Sequence, residues 1–124
     1  MKRIPTVHGK IRHRKFLFSC RVNGQRIANV ILDTGAFDFI LSEKVAKQLG
    51  LSRNQAVTVR GVSGTTRAWT SRCRLAVGKT NFGNVPCAII QGLPYDALFG
   101  LGFFIDRDFQ LLLNPKTATL SFVR

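Results

Sequence analysis

Acidic residues are scarce in this sequence. Six Asp and Glu stand against 19 Lys and Arg in 124 residues, a formal net charge of +13. With so few carboxylates, each can be weighed singly as a candidate for chemistry. Histidine is scarcer still: His8 and His13 are the two in the chain, both in its basic N-terminal segment. That argues against a His/Cys metal site and against a Ser–His or Cys–His hydrolase. The cysteines are Cys20, Cys73 and Cys87. Their odd number and irregular spacing fit neither a disulfide framework nor a zinc site. They read as reduced core thiols, which points to a reducing compartment and a cytoplasmic setting. No run of 18 apolar residues occurs, so no transmembrane helix is expected. Met1, Lys2, Arg3, Ile4 and Pro5 lead into no apolar stretch of signal-peptide length. An anchor upstream of this chain is compatible with that. Disorder is excluded as well, because hydrophobic residues make up 45% and charged residues only 20%.

What is present reads as one mostly β domain. Residues 1–14, with Lys2, Arg3, Lys10, Arg12 and Arg14, form a basic N-terminal arm with one short strand near residues 4–7. The globular domain covers residues 15–124. Phe16, Phe18, Cys20 and Val22 alternate with Lys15, Ser19 and Arg21, a period of two that predicts a half-buried strand. Asn23-Gly24 then predicts a type I′ hairpin turn into a return strand over residues 25–32. Ser42 suits a helix N-cap, Val45, Ala46 and Leu49 its apolar side, and Gly50 its left-handed end. Further strands are expected at 55–60, 66–77, 84–90, 109–113 and 119–123. The long one should carry Trp69, Cys73, Leu75 and Val77 on one face, and Pro86 should sit near a sheet edge. Gly61, Val62, Ser63 and Gly64 form a hairpin tip. A second short helix is expected over residues 102–108. Many short strands joined by turns indicate an all-β domain.

Among the acids, Asp33 stands apart. It succeeds the apolar run Val30-Ile31-Leu32 and precedes Thr34-Gly35-Ala36. A carboxylate at the end of a buried strand is partly desolvated. Gly35 lets backbone approach it closely, and Thr34 offers a hydroxyl to lock the turn. Spacing alone leaves this open between a reactive acid and a plain Asx-type turn. Asp106 and Asp108, flanking Arg107, read as a solvated helix end, and Asp96 as a turn residue.

The segment Val30-Ile31-Leu32-Asp33-Thr34-Gly35-Ala36 resembles the active-site segment of retropepsin-like aspartic proteases. The likeness extends through Ile40-Leu41-Ser42 and the helix after it, the Gly61 to Gly64 tip in the place of a flap, and Leu98-Phe99-Gly100 as a second signature. It covers residues 15–124. It implies the retropepsin-like acid protease fold: a closed or partly open β-barrel with a flap hairpin, one or two short helices, and one lobe per chain. It also implies an aspartic endopeptidase with no cofactor. Asp33 is then the catalytic acid, with Thr34, Gly35 and Ala36 supporting its loop. Asp38, the tip residues Gly61, Val62, Ser63 and Gly64, and Leu98, Phe99 and Gly100 are the expected substrate-binding positions. One Asp-Thr-Gly per chain implies a homodimer about a C2 axis, with an Asp33 from each copy at the axis and Thr34 hydroxyls reaching across.

The sequence departs from the family at Phe37, where the family usually has Ser or Asp, and at Leu101, where viral members carry an Arg. An apolar Phe37–Leu101 contact would stand in for that ion pair. Gly102 replaces a polar helix cap. The dispersed positive charge suggests nonspecific contact with nucleic acid or acidic surfaces. It also frames the alternative reading, a catalytically silent retropepsin-fold module that binds nucleic acid or peptides through its basic surface.

Overall fold

The computed structural model describes residues 6–33, 36, 38–61 and 64–123, with the side chains of residues 60 and 61 outside that description. The chain begins with two short strands, β1 (Thr6–His8) and β2 (Lys10–Arg12). The first hairpin comes next, β3 (Lys15–Val22) and β4 (Gln25–Asp33). Asn23 and Gly24 both take positive φ (51° and 81°), the type I′ geometry expected of this pair. Then come β5 (Phe39–Ser42) and helix α1 (Glu43–Leu49). The Ser42 hydroxyl accepts from the Val45 amide at 3.1 Å, and Gly50 ends the helix at φ 66°. A second hairpin, β6 (Ala56–Gly61) and β7 (Gly64–Val77), runs on into β8 (Thr80–Ile90). The chain closes with β9 (Ala97–Gly100), α2 (Leu101–Ile105), β10 (Gln110–Asn114) and β11 (Thr119–Val123).

These strands make two sheets. The larger has the order β2-β3-β4-β9-β5-β8-β7-β6, and a further β3–β7 pairing brings it round on itself. The smaller has the order β1-β11-β10. This is the all-β fold the sequence predicts. The short strand expected near residues 4–7 falls partly outside the described residues. Within them, β1 pairs with β11 and β2 with β3, so both are built into the sheets. Val7 is accordingly part of the core.

Pro86 lies inside the sheet order, yet its position fits the restriction on proline. It faces Arg72 on β7, while β5 reaches β8 only from Ala88 to Ile90. Its other side has no strand partner among the described residues. Trp69 shares the odd-numbered parity of Cys73, Leu75 and Val77 and pairs with the buried Ile89. It is half-buried, where the neighbouring Ala68 is fully buried, and the Arg53 guanidinium lies over its ring at 4.2 Å. The three cysteines are buried and unpaired. Burial, with the charge of Asp96, pushes the Cys20 thiol up to about 12, and a hydrogen bond with Cys87, with burial, also raises Cys73.

Packed phenylalanines form the centre of the core. Phe99 is fully buried and packs against Phe39 at 4.5 Å, Phe103 at 5.2 Å, and Phe18 and Phe104 at 5.6 Å. Tilted and edge-on rings at these separations add to the stabilisation from burial alone. This aromatic centre fixes β9, and through β9 the end of β4.

Candidate active site

Asp33 is the last residue of β4, and a bulge earlier in that strand decides which way it faces. On β3 one residue, Ser19, separates Phe18 from Cys20; on β4 two residues, Ala28 and Asn29, separate their partners Val30 and Ile27. Asn29 sits in the left-handed region at φ 53°, a conformation its short polar side chain tolerates. The extra residue shifts the alternation by one. Ile27 and Val30 therefore both point into the core, and Leu32 packs against it. Asp33 falls on the opposite parity, half-buried at the strand end. Without the bulge the carboxylate would point inward among the phenylalanines.

β9 lies between β4 and β5 and organises the loop after Asp33. It runs parallel to β4, matching Asp33 with Gly100, and antiparallel to β5, matching Phe39 with Phe99. The chain between β4 and β5 must therefore cross over the end of β9. Its backbone is fastened there. The Ala36 amide donates to the Asp33 carbonyl at 3.1 Å, the Gly100 amide to the Asp38 carbonyl at 2.9 Å, and the Leu101 amide to the Ala36 carbonyl at 3.0 Å. A side chain on Gly100 would collide with the Ala36 carbonyl and approach the Asp38 nitrogen to 2.8 Å. Glycine is required here because loop backbone fills the space a Cβ would need.

The structure thus brings Asp33, Ala36, Asp38, Leu98, Phe99 and Gly100 together. Asp38 is exposed and Leu98 half-buried. Phe99 is fully buried, so it supports the loop from beneath. Thr34, Gly35 and Phe37 lie outside the described residues, as do Val62 and Ser63. The expected Phe37–Leu101 contact therefore lies outside them too; Leu101 itself is 38% exposed. Gly61 pairs with Gly64 at the end of the β6–β7 hairpin, which agrees with a tight tip at those positions. The expected helix cap at Gly102 is corrected. Helix α2 starts one residue earlier, at Leu101, with Gly100 as its N-cap and no side-chain cap bond. The Ala36 carbonyl instead takes the Leu101 amide, one of the first-turn amides that have no partner within the helix.

Two contributors escape the sequence reading. Asn29 reads there as an ordinary strand residue, although Asn in a strand is itself a bulge signal. Asp96 ties the strands together through its backbone: its amide donates to the Asn29 carbonyl at 3.3 Å, and its carbonyl accepts from the Ser42 amide at 2.9 Å. Burial raises the Asp96 carboxyl above its usual range, partly opposed by Lys44. No group of three or more His, Cys, Asp or Glu gathers in metal-binding geometry among the described residues.

A family profile described as "gag-polyprotein putative aspartyl protease" matches residues 18–106. The chain belongs to this aspartyl protease family. Solved structures agree on the fold of this family member. A retropepsin-like aspartic protease from Rickettsia conorii superposes with a TM-score of 0.71 at 21% identity, covering 98% of this chain and 99% of that one. EIAV protease in complex with the inhibitor HBY-793 gives 0.64 at 17% identity, covering 82% and 95%. The retroviral protease-like domain of Ddi1 from Leishmania major gives 0.61 at 14%, covering 89% and 94%. A search of the curated proteins finds no match. The fold is thus retropepsin-like. No helix among the described residues is long and apolar enough to cross a membrane.

Proposed function

We propose that this aspartyl protease family member is an endopeptidase that acts as a C2 homodimer, with Asp33 of each copy forming the catalytic pair. The observation that carries this reading is the match of Asp33 with Gly100 across parallel strands, with the 36–38 backbone bound over the glycine. Such a site holds an acid at a fixed strand end and leaves it half-buried, where a second carboxylate can approach. Two carboxyls at close range share one proton, because both cannot ionise without strong repulsion. The ionised member draws a proton from water, and the protonated member donates to the scissile carbonyl.

Thr34 and Gly35 shape the loop around the acid, and Asp38 offers an exposed carboxylate beside it for the substrate backbone. The Gly61 to Gly64 tip, with Val62 and Ser63, closes over the peptide and excludes water. Four large apolar residues, Leu101, Ile105, Leu112 and Leu113, are exposed on α2 and β10 and provide apolar surface for a second copy.

The direct test is Asp33→Asn. The variant is expected to fold as wild type by circular dichroism and to lose cleavage of a peptide library read by mass spectrometry. Undiminished cleavage by the variant removes Asp33 from the mechanism.

A further inference from the structure

The acids that could offset the positive charge of this chain are unevenly placed along it. Its acids are Asp33, Asp38, Glu43, Asp96, Asp106 and Asp108, so the first 32 residues contain none, nor do residues 44–95. β3 and all of β4 but its last residue, Asp33, come from the first of these stretches and β7 from the second, and they adjoin in the large sheet. On β3 the even-numbered residues from Phe16 to Val22 are buried, which turns Lys15 and Arg21 outward. Register carries that outer face to the neighbouring strands. Lys10 lies beside Leu17 and Arg12 beside Lys15 on β2; Arg26 faces Arg21 on β4; Ala76 faces Arg21 on β7, with Arg74 and Arg72 exposed farther along that strand.

The result is a stripe of cations along β3, roughly 20 Å from Lys15 to Arg21 at the usual strand rise. Lys10, Arg12 and Arg26 line one cavity of about 290 Å³ together with His8. Arg21 and Arg74 line a second, of about 390 Å³. Neither cavity has an acid in its lining. The pair Arg21 and Arg26 is the most telling. Like charges directly opposite on neighbouring strands destabilise a sheet. Neither residue takes part in an ion pair among the described residues, where Arg53 and Glu43 form one at 3.4 Å.

We propose that this outer face binds the sugar-phosphate backbone of nucleic acid. A polyanion neutralises the repulsion between Arg21 and Arg26 and releases its own counterions on docking. Lys10, Arg12, Arg21, Arg26, Arg72 and Arg74 follow one another across adjoining strands, so an extended backbone laid on this face meets several of them at once. Arginine predominates over lysine, and its planar fork fits phosphate oxygens two at a time. An anionic membrane is the less suitable partner. Membrane-surface binders set apolar residues among their cations, and the exposed large apolar residues here lie elsewhere: Leu101, Ile105, Leu112 and Leu113 on other elements, and Ile11 on the opposite parity of β2 from Lys10 and Arg12. Asp33 ends β4 on the same outward side, seven residues beyond Arg26, but it is an acid and not one of the phosphate-binding cations, so binding and peptide cleavage are separable properties.

The test is fluorescence anisotropy with a labelled mixed-sequence oligonucleotide, single-stranded and duplex, titrated over a range of sodium chloride. Wild type and Asp33→Asn are expected to bind alike, with affinity falling steeply as salt rises. The triple variant Arg21→Gln/Arg26→Gln/Arg74→Gln should bind roughly tenfold or more weakly and show a salt slope shallower by about two. A control with the same charge loss elsewhere, Lys44→Gln/Lys47→Gln/Lys116→Gln, should stay close to wild type. Arg21→Lys/Arg26→Lys/Arg74→Lys keeps the charge and should retain most of the binding, which separates loss of charge from loss of fold. The proposal is overturned if wild type fails to bind at low salt, or if both triple Gln variants weaken binding equally. It is also overturned if vesicles containing phosphatidylserine, and not the oligonucleotide, lose their binding in the face variant.

Discussion

Gly100 stands opposite Asp33 in the parallel ladder, and the Ala36 carbonyl occupies the space where a side chain on Gly100 would project. The glycine is thus a spacer that lets the loop after Asp33 lie flat on β9. Gly100→Ala is expected to push that backbone away, at a cost of roughly 1–3 kcal/mol from overpacking. Urea unfolding measures the loss of stability. Peptide cleavage should fall much further than stability, because the displaced segment is the one next to the acid.

If each copy supplies one Asp33, a mixed dimer has only one functional acid. Adding excess Asp33→Asn protein to wild type is expected to suppress cleavage in step with the fraction of mixed dimers. Activity measured against the mixing ratio reads this directly. A rate that tracks only the wild-type concentration points to a monomeric mechanism.

Asp96 gives a prediction about pH. Burial raises its carboxyl in the folded protein, with Lys44 partly opposing. A group raised on folding contributes stability below its unfolded value and loses that contribution as pH rises through the folded value. Asp96→Asn keeps the backbone bonds and removes the cost of ionising at this place. Its Tm should exceed that of wild type at about pH 7, and the difference should shrink toward about pH 4. Thermal melts across that range test the sign.

Ser42 ends β5 and caps α1 in one residue. It is buried, and its hydroxyl accepts the Val45 amide at 3.1 Å. Ser42→Ala leaves that amide without its partner and is expected to cost about 1 kcal/mol. The change should appear in the denaturation midpoint with the slope unaltered.

Much of this arrangement is legible in the residues. Alternation marks β3, Asn23-Gly24 its turn, and Ser42 with Gly50 both ends of α1. These signals are local, so short stretches of sequence carry them whole. The fold family is legible in the ordered likeness of the 30–36 segment, the hairpin tip and Leu98-Phe99-Gly100. Features that escape such a reading depend on contacts between distant segments. Helix α2 begins at Leu101 and not Gly102 because a carbonyl from residue 36 meets its first amide. The bulge at Asn29 satisfies two buried neighbours on β3 at once, and no period-two pattern announces it. The outward face of cations likewise needs the strand order, since Arg26 and Arg74 are far apart along the chain.

The placement of β9 between β4 and β5 also sets a timetable for biogenesis. Residues 97–100 form the strand on which the loop after Asp33 rests. While a ribosome is still decoding the codons before them, the emerging polypeptide has its acid but no floor beneath it. Whatever reactivity the finished molecule possesses is therefore withheld from the translating complex until that late strand emerges and slots home.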